Sequence, residues 1–509
     1  MKFSFHKMGS LPRLSWCAVM TEDVETIDVY IGPWVETRES FFVEGAWDGP
    51  FIEGGFDFGV ASMASGGKLR ENNVVFSTPY HIHERLHTLR INEKLYISPS
   101  LAFLLEKCGT CLDVNYIPYQ VDLLKMINKM DNHIGSIPID DGYIINVYHF
   151  RNIIVDSKLL ITIENKNVTS DFLNYASYRN YLISKIKEID RNANSPERII
   201  RYSPISMMST GYDSPACTVL GMEIGLADVV TFRKSREGRK EEDNNDSARG
   251  IAESLGLKVK EFRRSDVLEG EGTPEAEFVA SGDLGQDFEI SVLGEELQRK
   301  LVIVGYHGDT MWNVNKKNVS QDIPRGDAGG CCWTDFKFRI GYIFVPVPYI
   351  GCLSHPSILA ISNSKEMEPW RMWNRYDRPI ARRIVEERGV PRNMFGKNKK
   401  AISILLNTQS GLLSRMNKNS AVEFEKYYKV IKKKRSSLLQ FYYNTLFYIY
   451  RIYYSVASRI ETGLFRVGIQ WNIPCPIPDK FTQCPRRPSY LVHWGISIIK
   501  QRYKTLIVL

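Results

Sequence analysis

Apolar and polar residues alternate in short runs over roughly the first 150 positions, and that period of two predicts strands. "TIDVYIG" and "VVFSTPY" are such runs, set apart by the turn signals "WDGP", "EGGFDFG" and "ASGGK". "EKLYISPSLAFLLEK" (Glu93–Lys107) reads as a strand followed by a helix with Ser98 near its cap. "DDGYIINVYHFRNIIVD" (Asp140–Asp156) reads as a hairpin pair with Asp141-Gly142 as turn residues. Between Asp171 and Asp190 the period lengthens. Phe172, Tyr175, Tyr178, Leu182, Ile186 and Ile189 recur at three- and four-residue steps, one face of an amphipathic helix. The polar break "NANSPER" follows, and a domain boundary is placed between 160 and 195.

From Ile199 to about Lys400 the pattern alternates between strand and helix. "RYSPISMM", "ADVVTFR" and "KLVIVGY" are strands; "SPACTVLGMEIG" and "DSARGIAESLGL" are helices, the second ending at Gly256. Alternation of this kind predicts a parallel sheet covered by helices. From about Ser410 the chain turns helical, basic and rich in Tyr, and the stretch Asn472–Pro488 holds too many prolines for regular structure. The aromatic run Phe441–Ala457 follows "KKKR" (Lys432–Arg435). It is short for a membrane span and carries Arg451, so it reads as a buried or partner-packing helix, with peripheral membrane contact through 432–457 as the alternative.

Composition changes this picture little. With 509 residues, 43% hydrophobic and 24% charged, the chain is globular and too long for one core. A net charge of +8 over so large a surface suits an anionic nucleotide and is too diffuse to argue for nucleic acid. Nine scattered cysteines include one C-x-x-C, Cys108 and Cys111, with no second pair at zinc-ribbon spacing; they read as free thiols of a reducing cytosol. The opening "MKFSFHKMGSLPRLSW" lacks the apolar core of a secretory signal, so a cytoplasmic location is expected. His83 and His87, four apart, have the spacing of a helical metal pair, but without a third ligand they read as a surface helix start.

The densest chemistry lies in Ser209-Thr210-Gly211-Tyr212-Asp213-Ser214, between a predicted strand and a predicted helix. Small residues let the backbone approach an anion there, and the helix start adds N–H donors and a favourable dipole. Asp213 beside phosphate needs a cation, which Mg²⁺ would supply. Without a ligand the same residues would simply cap a helix. With each specified residue at about one in fifteen, S-x-G-x-D-S arises by chance in about one chain of this size in a hundred, so the phosphate reading is preferred.

This turn resembles the S-G-G-x-D-S pyrophosphate loop of the ATP pyrophosphatase superfamily, with Thr210 in place of the second residue, Gly. "VGYHGDTMW" (Val304–Trp312) looks like the S-G-E-G-x-D-E segment of asparagine synthetases, with Gly308 and Asp309 on its Gly-x-Asp. "RYDRPIARRIVEERGVPRNMFGKNKKA" (Arg375–Ala401) is similar to the family's late helix and loop, which end in a functional lysine, here Lys399 or Lys400. "TFRKSREGRKEEDNNDSARGIAESLGL" matches the strand that passes the adenine, which places Thr231 beside the nucleotide. More faintly, residues 1–170 resemble the family's glutaminase half, an N-terminal-nucleophile fold. Its catalytic Cys directly follows the initiator Met, where this chain has Lys2, and the first cysteine is Cys17.

The resemblance implies an α/β protein: a β-rich glutaminase-like domain (1–170) without its nucleophile, a parallel-sheet ATP-binding domain (195–410) and a helical tail (411–509). It implies an adenylate-forming ligase using ATP and Mg²⁺ on carboxylate and amine substrates, small molecules or peptides, without glutamine hydrolysis. Ser209 to Ser214 and Gly308 would hold ATP, Asp213 and Asp309 the metal, and Lys399 or Lys400 with Asp309 would serve the chemistry. Asp283 and Asp287, in "GDLGQDFE", would face substrate or lie as solvated loop carboxylates. A non-catalytic nucleotide-binding regulatory homologue and a β-lactam synthetase-like cyclising ligase are the alternatives.

Overall fold

Each alternating run of the first 165 residues becomes a strand because one of its faces can be buried. In the computed structural model these are β1 (Lys2–Lys7), β2 (Trp16–Thr21), β3 (Thr26–Ile31), β4 (Glu36–Thr37), β5 (Phe41–Ala46), β6 (Met63–Arg70), β7 (Asn73–Ser77), β8 (Leu86–Ile91), β9 (Lys94–Ser98), β10 (Ile134–Pro138), β11 (Ile144–Tyr148), β12 (Arg151–Val155) and β13 (Ile161–Asn165). The structure describes residues 1–128, 134–169, 171–233, 246–282, 287–315, 330–331, 333–374, 376–395, 406, 411–466 and 486–504. β3 keeps the expected alternation: Ile27, Val29 and Ile31 are buried and the residues between them are half-exposed.

Two sheets form, in the orders β1-β3-β2-β9-β8-β11-β10 and β13-β12-β7-β6-β5-β4. Pairing is antiparallel throughout except that β1 runs parallel to β3. A shared core joins the sheets. Trp16 of the first meets Phe42 of the second edge-on at 5.1 Å and stacks on Phe76 at 6.1 Å.

Two local readings are corrected here. Asp141-Gly142 does turn a hairpin, but it joins β10 to β11; β11 then lies in the first sheet and β12 in the second. The chain changes sheets at Phe150, whose φ is 52°. Ser98 is the last residue of β9, and Ser100 caps the helix α1 (Leu101–Cys108), accepting from Phe103 N at 3.2 Å. Leu101, Ala102, Phe103, Leu104 and Leu105 on α1 are buried.

After α2 (Tyr119–Asn128), α3 (Tyr175–Ala193) realises the amphipathic pattern. Asn174 caps it in a reciprocal box with Ser177, and Tyr175, Tyr178, Leu182, Ile186 and Ile189 are buried. Phe172 lies before the helix and packs on the same core. The expected alternation follows: β14 (Ser203–Met207), α4 (Asp213–Gly221), β15 (Asp228–Phe232), α5 (Arg249–Ser254), β16 (Lys258–Phe262), α6 (Pro274–Ala280), β17 (Lys300–Val304), α7 (Thr334–Ile340) and β18 (Ile343–Pro346). These strands make one wholly parallel sheet in the order β16-β15-β14-β17-β18. The first strand is therefore central, and the strand order reverses between β14 and β17. α8 (His355–Ser362) and α9 (Pro379–Glu386) follow the sheet.

The segment beyond 411 divides. α10 (Lys418–Lys434) and α12 (Leu491–Lys500) pack onto the α/β layer, while α11 (Ser437–Arg466) leaves most of its surface exposed. Asn417 ties the start of α10 to the carbonyls of Val267 and Gly270 at 2.8 and 2.6 Å. On α12, Gly495 lets the helix press against α6; a Cβ there would lie 2.9 Å from Ala276 O and overlap Val279. Residues 472–485, most of the proline-rich stretch, lie outside the described residues. Among the described residues no helix is long and apolar enough to cross a membrane. The β layers and the α/β layer are bonded together, with Glu36 accepting from Ile199 N at 2.9 Å and Ser100 donating to Asp335 at 2.6 Å.

Candidate functional site

In an open parallel sheet the carboxyl ends of the strands, at the point where strand order reverses, leave a crevice for ligands. Here that point lies between β14 and β17. The turn Met208–Tyr212 leaves β14 at this crevice and enters α4 with Asp213 in its first turn. The matching loop after β17 is Gly305-Tyr306-His307-Gly308, which leads into a short helix, Gly308–Met311, carrying Asp309. Gly305 and Gly308 are required by proximity. A Cβ on Gly305 would meet the Asp213 carbonyl carbon at 2.6 Å, and one on Gly308 would meet the Asp213 side chain at 2.6 Å. The two loops thus close on each other around the start of α4, with His307 held at a φ of 74°.

The turn is braced internally. Ser209 N donates to Ser214 Oγ at 3.0 Å, and the two hydroxyls lie 3.2 Å apart. Thr210 uses its N–H and its hydroxyl on one oxygen of buried Asp246, the hydroxyl at 2.8 Å. Gly211 N donates to Ser209 Oγ at 3.4 Å. Tyr212 turns its ring inward, stacking on Phe395 at 4.7 Å under the guanidinium of Arg382, so only its backbone belongs to the crevice.

A residue overlooked in the sequence dominates the electrostatics. Arg378, immediately before α9, is buried and donates to Asp213 Oδ2. Its guanidinium lies over Tyr376 at 4.5 Å, and the charges of Asp213 and Asp309, with the Tyr376 hydroxyl, hold its pKa above the usual value despite desolvation. Arg378 Nε has no hydrogen-bond partner among the described residues. Burial pushes the Tyr376 hydroxyl up to about 12, so it stays protonated against the turn. Asp377-Arg378-Pro379 looks in sequence like an ordinary helix start; only the fold brings Arg378 to Asp213, 165 residues away.

The remaining candidates are distributed unevenly. Thr231, near the end of β15, is buried and accepts from Ala248 N at 3.0 Å, so its hydroxyl caps α5. Asp287 is buried, with a φ of 64°, and accepts from Gly330 N at 2.8 Å and from Tyr306 OH at 3.4 Å. It is a structural acceptor rather than a solvated loop carboxylate. Beside it, burial pushes Glu289 up to about 7, aided by the charge of Asp287 and opposed by Arg264 at 3.4 Å. Arg264 in turn covers Phe232 at 4.3 Å, which places this cluster at the carboxyl end of β15. Asp283, Lys399 and Lys400 lie outside the described residues.

The histidine pair is not a helix start on the surface. His81, His83 and His87 are buried; His87 lies in β8, while His81 and His83 lie in the bend that precedes it. Among the described residues no group of three or more His, Cys, Asp or Glu is arranged to hold a metal. Asp213 contacts Arg378 directly, and the charge of Asp309 also acts on it. Cys17, Cys108, Cys111, Cys217 and Cys352 are free thiols, as their scattered spacing predicts. No family model matches the sequence, and no curated protein matches it.

Proposed function

We propose that the chain is an ATP-dependent, adenylate-forming ligase of asparagine synthetase type. It would join a substrate carboxylate to AMP with release of pyrophosphate; an amine or ammonia then attacks the acyl carbon, expelling AMP and losing a proton to give an amide. One observation carries this reading: the Ser209–Ser214 turn stands at the strand-order reversal, faced by the Gly305–Gly308 loop and by Arg378. The turn and the start of α4 would cradle the pyrophosphate part of ATP. Asp213 and Asp309 would hold Mg²⁺, which supplies charge neutralisation between the phosphates. Arg378, with an N–H that has no partner among the described residues, would exchange its bond to Asp213 for one to a phosphate oxygen as charge develops.

The same reading makes the first 170 residues a glutaminase-like layer of N-terminal-nucleophile type without its nucleophile, stacked on an ATP pyrophosphatase-like domain. Lys2 lies in β1, paired beside Thr26, and Cys17 is buried in β2, where desolvation raises its thiol well above the usual range. The buried Cys17 thiol does not offer a ready thiolate nucleophile, so the amine would come from the substrate or from free ammonia. ATP/pyrophosphate exchange screened over candidate carboxylates tests the proposal; AMP and pyrophosphate are the expected products, and ADP as sole nucleotide product would reject it.

One observation favours a second reading. The N–H groups of Ser209 and Thr210, donors that a phosphate cradle would present, are already given to Ser214 and Asp246. A protein that keeps the fold and binds nucleotide without turnover would tolerate such a self-satisfied turn. ATP binding without pyrophosphate release in the same assay distinguishes it.

A further inference from the structure

A helix on a protein surface ordinarily turns its apolar face inward. α11 does the reverse. Its inner side seats Tyr443 against the α/β core, and Ala457 is buried. Phe441, Tyr448, Ile449, Ile452, Val456 and Ile460 follow one another at steps of seven, one, three, four and four, which at 3.6 residues per turn confines them to about 120° of arc on the opposite side. All six are exposed, Phe441 by 70% and Ile452 by 68%. A continuous stripe of this kind on one element marks a contact surface.

Charge says what the surface meets. From Lys432 to Arg466 the sequence holds seven Lys and Arg against one acid, Glu461. Lys432, Lys433 and Lys434 are exposed where α10 ends, just before the stripe begins; Arg451 and Arg459 are exposed along α11. A second copy of this chain would bring the same positive charge to the contact. A bilayer containing anionic lipid brings the opposite charge, and its headgroup boundary is where Tyr and Phe rings with a wet edge and an apolar body settle. α11 is not apolar enough to cross a membrane. We propose that α11, with the lysines at the end of α10, is an interfacial helix that lays its Phe441–Ile460 stripe into an anionic phospholipid surface. This holds whether or not the chain is a ligase, and it would confine whatever the α/β layer makes to the membrane face.

The test is co-sedimentation of the full chain with phosphatidylcholine vesicles, with and without phosphatidylserine. Binding is expected only with phosphatidylserine and should weaken with salt. Replacing Lys432, Lys433 and Lys434 by Ala should reduce partition by about a hundredfold, at about fivefold per cation. Phe441→Glu with Ile452→Glu should abolish it, and unchanged circular dichroism would show that these exposed substitutions leave the fold intact. Three outcomes overturn the proposal: no sedimentation with either vesicle, equal sedimentation with both, or a dimer in light scattering that Phe441→Glu with Ile452→Glu dissociates. The last would assign the stripe to a second copy of the chain.

Discussion

Arg378 with Asp213, and Lys337 with Glu44 and Glu84, are both cations taken out of water and met by carboxylates. Lys337 lies at 2.9 Å from both oxygens of Glu44 and at 2.5 Å from Glu84, so its three protons are spent. Glu44 also accepts from Ser65 at 2.7 Å, and the three charged side chains are between 0% and 6% exposed. Arg378 has an N–H without a partner among the described residues and a carboxylate partner that is 16% exposed. The first cluster is saturated and sealed, and it fastens α7 to the β layers. The second is unsaturated among the described residues and partly exposed, and under the proposed function a phosphate would replace a protein group there. Whether a buried charge serves the fold or the site depends on what is left unspent.

That contrast is open to direct attack. Lys337→Met leaves two carboxylates buried without their cation and should cost about 3–5 kcal/mol in urea denaturation, whereas a loss below about 1 kcal/mol would dissolve the distinction. Asp213→Asn keeps an acceptor for Arg378 but removes the charge that would hold Mg²⁺. ATP affinity in the presence of Mg²⁺ should fall about a hundredfold, with stability changed by no more than about 1–2 kcal/mol. Equal titration curves for wild type and variant would remove the site.

The sealed cluster also predicts a pH signature. Burial, with repulsion from Glu84, pushes Glu44 from 4.5 up to about 7 against the pull of Lys337. The folded state then holds a proton that the unfolded chain has lost, so this contribution is present below pH 4.5 and is lost as pH rises to about 7. His87 and His493, pushed down to about 3 and about 4 by burial, act in the opposite sense, losing stability as pH falls below 6.5. The informative quantity is therefore the difference between wild type and Glu44→Gln. Over that window the variant should gain about 1–2 kcal/mol relative to wild type, and parallel curves would show that Glu44 keeps an ordinary titration. The smallest effect is expected of Thr210→Gly, which frees the turn from the Asp246 bond that its hydroxyl makes. ATP affinity should rise about threefold while stability falls by about 1 kcal/mol, and weaker binding would show that the bond orders the turn for its ligand.

Much of this was legible in the residues, and the failures have physical causes. β14, β15 and β17 announce themselves as apolar runs because both their faces are covered. "KVKEF", which becomes the edge strand β16, is too polar to stand out, and "IFVP", which becomes the edge strand β18, is short and ends in proline. Alternation identified β11 and β12 as strands but carries no information on which sheet a strand joins, and the sheet change at Phe150 went unread. Four-residue spacing suggested a helix at His83 and His87, but His83 lies in a bend and His87 in β8. The Ser209–Ser214 turn was visible because its chemistry is contiguous. Arg378 was not, because the charge opposite Asp213 comes from just before α9, far along the chain, and only the fold pairs them.

The contact at Gly495 bears on how the molecule is made. α6 finishes at Ala280, yet the face it offers to α12 waits for residues made about 210 positions later. At a synthesis rate on the order of 10 residues per second, that face stays wet for about twenty seconds on every new chain. The parallel sheet can assemble during this interval, but its outer layer cannot be sealed until Trp494 and its neighbours arrive. A nascent chain stalled anywhere before 491 would present the uncovered side of α6 to chaperones and proteases.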